Sequence, residues 1–65
     1  MTYKEAENKA KEEVWIYMTT GTIMSECDVR GFKYKTRPSD GLFCKGERQR
    51  CEDFLIKEYI KEYLK

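Results

Sequence analysis

Three cysteines and the absence of histidine decide most of the covalent and metal chemistry open to this 65-residue chain. Histidine is the commonest general base and the commonest zinc ligand, so Cys-His and Ser-His-Asp arrangements are excluded at once. Sixteen and six residues separate Cys27, Cys44 and Cys51. A zinc site built on them with Asp28 as fourth ligand would match no C-x₂₋₄-C knuckle. Cys44 on the inner face of a strand and Cys51 on an apolar helix stripe are better read as small buried hydrophobes. A Cys44–Cys51 disulfide is the other reading, although free thiols are the rule inside cells. Carboxylates such as Glu26 and Asp28 could serve acid/base chemistry only in a dry cleft, for which so short a chain has little room. The expectation is a protein that is not an enzyme, carries no cofactor and takes no small-molecule substrate.

The remaining chemistry is electrostatic. There are 13 Lys and Arg against 12 Asp and Glu, a net charge of +1. That balance hides a segregation. Residues 30–50 carry Arg30, Lys33, Lys35, Arg37, Lys45, Arg48 and Arg50 against only Asp40 and Glu47, a local +5. Such a segment projects a positive potential even from a nearly neutral protein. Cations neutralise phosphates, and an exposed ring such as Phe43 among them would offer bases a stacking surface. Arg48 and Arg50 also fall in the expected first turn of a helix, where cations oppose the dipole. The opposing reading is that lysines on an edge hairpin simply keep it soluble and unpaired. The expected binding residues are therefore Arg30, Lys33, Lys35, Arg37, Phe43, Lys45, Arg48 and Arg50. Nothing in this cluster distinguishes nucleic acid from an acidic protein surface. No RNP pattern, zinc-finger spacing or helix-turn-helix is present, which argues against a sequence-specific transcription factor.

Two amphipathic helices are expected to hold this segment. Thr2 and Glu5 form a T-x-x-E capping box, and Tyr3, Ala6, Ala10, Val14, Tyr17 and Met18 recur at spacings of three and four. Gly21 can take the left-handed position that stops the helix. The spacing predicts a helix over residues 3–19. A second helix is predicted over 47–63, with Cys51, Phe54, Leu55, Ile56, Tyr59, Ile60, Tyr63 and Leu64 on an apolar side covering about three-quarters of its circumference. So wide a face implies that the helix is clasped on two sides or that part of it meets another molecule. Trp15 lies off the stripe of the first helix and is expected to tuck under residues 22–30; left exposed, it would be an interface anchor. Trp15, Tyr59 and Tyr63 are the candidate protein-interface residues, and a homodimer is one expected partner state.

Between the helices the period changes to two: Phe32, Tyr34 and Thr36 alternate with Lys33, Lys35 and Arg37. Pro38-Ser39-Asp40-Gly41 supplies a turn, and Leu42-Phe43-Cys44-Lys45 reads as a returning strand. Residues 31–45 are thus predicted to form a β-hairpin, pairing Thr36 with Leu42 and Tyr34 with Cys44, with Phe43 outside among the cations. Thr22-Ile23-Met24 could add a third strand, or Ser25 to Val29 a turn of helix. The fold class expected is α+β, in the order α-β-β-α or α-β-β-β-α, in one small domain spanning 1–65.

With 40% hydrophobic residues and nine aromatics, the chain reads as folded, while its 38% charged share exceeds the typical value of about 25%. No run approaches the roughly 20 apolar residues that span a bilayer, and residues 1–5 show no secretory pattern. No membrane association and a cytoplasmic location are expected. The function expected is binding to nucleic acid or to a nucleic-acid-handling protein. The alternative is an inhibitor or adaptor that docks on the acidic surface of a larger host enzyme, in the compositional style of phage-encoded host-takeover and anti-defence proteins.

Overall fold

Three helices and one long irregular loop make up the fold: α1 (Tyr3–Thr20), α2 (Ile23–Val29), the loop 31–46, and α3 (Glu47–Tyr63). The computed structural model describes all 65 residues. At the start of α1, the Thr2 side chain accepts from the Glu5 N–H while the Glu5 carboxylate accepts from the Thr2 N–H, so two orphan donors are satisfied reciprocally. Those hydrogen bonds hold the Glu5 carboxyl below its ordinary pKa. Gly21 closes α1 in the left-handed conformation.

The short helix α2 replaces the third strand considered for residues 22–24. Ile23 and Cys27, four apart, put one face into the core. Its end is a Schellman motif: the Phe32 N–H bonds the Cys27 carbonyl and the Gly31 N–H bonds the Asp28 carbonyl, with Gly31 at φ 77°. That left-handed residue turns the chain out of the helix and into the loop.

The α+β expectation is overturned. No sheet and no hairpin forms; the only β pairing is an isolated bridge between Thr36 and Phe43. The two-residue alternation is nevertheless real as a burial pattern over residues 32–35, because Phe32 and Tyr34 are half-buried while Lys33 and Lys35 face solvent; Thr36 is exposed like Arg37. Its inward side chains find helix partners instead of a strand. Phe32 stacks on Phe54 of α3 with ring centroids 4.3 Å apart, and the Tyr34 hydroxyl donates to Asp28 of α2 at 2.9 Å. The Lys35 N–H, which a ladder would use, donates to the Glu47 carboxylate at 3.2 Å. The returning segment is also too short. Cys44 already accepts from the Glu47 N–H as α3 begins, and a lone two-stranded hairpin is marginal in water.

The register differs as well. Thr36 faces Phe43, not Leu42, because Asp40 closes a four-residue turn by accepting from the Leu42 N–H and from the Arg37 guanidinium. A slip of one residue exchanges the two faces. Phe43, expected outside, is half-buried edge-on against Tyr34, and Leu42, expected inside, is 55% exposed.

Tyr17 stacks against Tyr59 and Lys9 sits over the Tyr63 ring, so α1 runs antiparallel to the C-terminal half of α3. Phe32 and Cys27 lie against the N-terminal half at Phe54 and Cys51, while Glu26 and Arg30 reach Tyr59 and Glu62 in the C-terminal half. This double clasp buries Cys51, Leu55, Tyr59 and Ile60 of the broad apolar side of α3, while Leu64 at its end stays 45% exposed. The core comprises Ala6, Ala10 and Val14 of α1, Ile23 and Cys27 of α2, and Cys51, Leu55, Tyr59 and Ile60 of α3. Staggering of the long helices gives an extended body of 43 × 21 × 18 Å. No helix is long and apolar enough to cross a membrane.

Candidate functional site

The basic segment divides into cations the fold uses and cations it leaves free. Arg30, at the end of α2, donates to Glu26 at 3.0 Å and to Glu62 of α3 at 2.8 Å, and its guanidinium lies 4.5 Å over the Tyr59 ring. The bond to Glu62 is the main reason its pKa is held even above the usual arginine value. Arg50 donates to both oxygens of Glu47 and covers Phe32, and Arg37 is held by Asp40. Lys33, Lys35, Lys45 and Arg48 are exposed and make no ion pair. The eight expected binding residues thus separate into four free cations, three internally matched arginines and one half-buried ring.

Glu47 is the residue that sequence reasoning undervalued. It counted there only as a charge inside a basic run, yet it is buried and ties the loop to the start of α3. Burial works against its charge, but the Lys35 N–H and the Arg50 guanidinium outweigh that and hold its carboxyl below the ordinary range. An acid in the first turn of a helix, just after a glycine boundary, was the available signal.

Between the α1–α2 corner and the returning loop lies a groove of about 510 Å³. Met18, Ile23, Met24 and Phe43 form its apolar wall, with Leu42 at the mouth. Arg37, Lys45 and Arg48 are its only charged lining residues; Asp40 holds Arg37 from outside the lining, and Lys45 and Arg48 have no acid against them. A second recess of about 480 Å³ lies beside Asp28, Phe32, Lys33 and Tyr34.

The candidate interface residues part company. Tyr59 is only 7% exposed and belongs to the core: its hydroxyl lies 2.9 Å from Glu26 Oε1 and 3.0 Å from Tyr17 Oη. A carboxylate only accepts, so the Tyr59 proton goes to Glu26 and Tyr17 supplies the other bond. Burial, then these two partners, push the Tyr59 pKa well above that of a free tyrosine. Tyr63 is half-buried against Tyr59. Trp15 does not tuck under residues 22–30. It is 65% exposed, beside an exposed Ile16 and one helical turn before Met18.

The thiols do not converge on a metal: no group of three His, Cys, Asp or Glu residues comes together. Cys27 and Cys51 are fully buried neighbours in the core, and Cys44 stands apart on the groove wall. Burial first, then the Cys51 thiol, push the Cys27 pKa up to about 12, and burial raises Cys51 too. Thiols in that state are poor nucleophiles. No known protein family, no curated protein and no solved structure matches the chain.

Proposed function

We propose that this chain is a non-enzymatic binding protein that docks on an anionic partner, nucleic acid or a nucleic-acid-handling protein, through the outer surface of loop 31–46 and the first turn of α3. The observation that carries this reading is the unpaired state of Lys33, Lys35, Lys45 and Arg48, all exposed along one short stretch of chain. A fold that matches Arg30, Arg37 and Arg50 so closely with carboxylates leaves these four available to an outside anion. Titration of a labelled single-stranded oligonucleotide and of an acidic peptide at two salt concentrations tests it. Four released counterions per complex give a slope of log affinity on log salt of about −3 for a single strand. Absence of binding to both probes at low salt would remove the proposal.

A second reading is an inhibitor or adaptor on the acidic surface of a larger enzyme, and the exposure of Trp15 favours it. A rigid amphipathic ring that the core does not need is the usual anchor of a protein interface. In that reading the free cations steer the approach and the indole fixes the pose.

A further inference from the structure

The groove beside the free cations has a chemistry of its own. Resting on the reading above, we infer that it receives an amphipathic acidic protein segment, with apolar side chains entering between Met18, Met24, Leu42 and Phe43 and carboxylates meeting Lys45 and Arg48. Three observations converge on this occupant. The groove's volume of about 510 Å³ lies in the range of formed ligand pockets, about 300–1,000 Å³, and exceeds what one side chain fills. Its charged lining is cationic throughout, and Lys45 and Arg48 have no carboxylate partner within the chain. Its walls carry two of the three methionines, whose unbranched thioethers repack around differing aliphatic shapes.

Nucleic acid fits this groove less well. Base stacking needs a broad open ring, and Phe43 is half-buried and paired T-shaped with Tyr34, 5.1 Å between centroids, which leaves less of it for a base than for an aliphatic side chain. The apolar stripe also continues past the groove. Trp15 precedes Met18 by one turn on the same flank of α1 and stands exposed. A helix or extended strand of a partner lying in the groove would meet that indole next. Arg37, at the groove edge, already holds a carboxylate in bidentate fashion from Asp40.

The test uses the full chain and three probes: an acidic peptide with Leu and Phe at helical spacing, the same peptide with those residues replaced by Ser, and oligothymidylate of similar charge. Calorimetric titration is expected to show the Leu/Phe peptide binding at least about tenfold tighter than its Ser counterpart, the value of burying one large apolar side chain. Leu42→Ser, at an exposed position, should abolish most of that advantage and leave the Ser peptide unchanged. Lys45→Gln with Arg48→Gln should weaken both peptides. Equal binding of the two peptides, or binding of oligothymidylate alone, overturns the groove assignment while the anion-binding reading stands. Failure of all three probes at low salt overturns both.

Discussion

Tyr59 of α3 and Glu26 of α2 are joined by a 2.9 Å hydrogen bond at the point where all three helices meet, with Tyr17 of α1 on the other side of the same hydroxyl. Arg30 completes the cluster by bridging Glu26 to Glu62 and covering the Tyr59 ring. One phenol therefore serves as apolar filler, as hydrogen-bond donor to a carboxylate and as acceptor from another phenol.

Tyr59→Phe keeps the ring and removes the hydroxyl, leaving Glu26 and Tyr17 each short of a partner. A loss of about 1–2 kcal/mol is expected. Tyr63→Phe, whose hydroxyl has no partner in the protein, should change stability by less than about 0.5 kcal/mol. Urea midpoints of the two variants measure the contrast.

Arg30→Ala and Arg48→Ala are expected to separate stability from binding. Removing Arg30 uncouples α2 from Glu62 and strips the cover from Tyr59, at a cost of about 1–3 kcal/mol. Removing Arg48 should leave the melting temperature close to that of the parent and weaken capture of anions. Thermal melts and the oligonucleotide and peptide titrations, run on both variants, check this division.

Gly31→Ala places a side chain at φ 77°, where nothing crowds the added carbon but the backbone itself is strained. The expected penalty is about 1–2 kcal/mol. It should appear in the denaturation midpoint together with faster hydrogen exchange at the Phe32 amide, which depends on that turn.

Alkali should unfold the protein through groups that fold as neutral species. Burial and the bond to Asp28 raise the Tyr34 pKa to about 12, and burial with the Cys51 thiol does the same for Cys27. Between about pH 9, where an unfolded cysteine ionises, and about pH 12, the folded state retains protons that the unfolded state has lost. Stability is complete below that window and falls as pH rises through it. On the acid side Glu47 has the opposite sign: its contribution is present above the ordinary glutamate value of about 4.3 and disappears as pH falls through its lowered folded value. Circular dichroism in denaturant across the pH range tests both limbs.

The sequence made the two long helices legible because their signals are local. The Thr2–Glu5 box and the three-and-four spacing of Ala6, Ala10 and Val14 need no tertiary information. The hairpin was misread because a period of two reports alternate burial, and burial can be supplied by a helix. Phe32 alternates with Lys33 because it rests on Phe54, and no strand lies beside it. α2 was obscured by its length, since seven residues carry only two core positions, Ile23 and Cys27. Of the site, the free lysines were visible as charge. The Arg37–Asp40 and Arg50–Glu47 pairs lie three residues apart and were open to a local reading, whereas the match of Arg30 to Glu62 depends on how the chain folds back. The groove was invisible for the same reason, because Met18, Met24 and Phe43 meet only in three dimensions.

The double clasp on α3 has a consequence for how the molecule opens. α1 can lift from the C-terminal half, or the loop from the N-terminal half, each as a partial event. The backbone around Leu55, between the two, is freed only when both have gone. Amides there should exchange at the rate set by global unfolding, while those of loop 31–46 exchange through small local openings. With that pattern of exchange, the surface proposed to greet a partner would open and close without disturbing the central segment of α3 that anchors it.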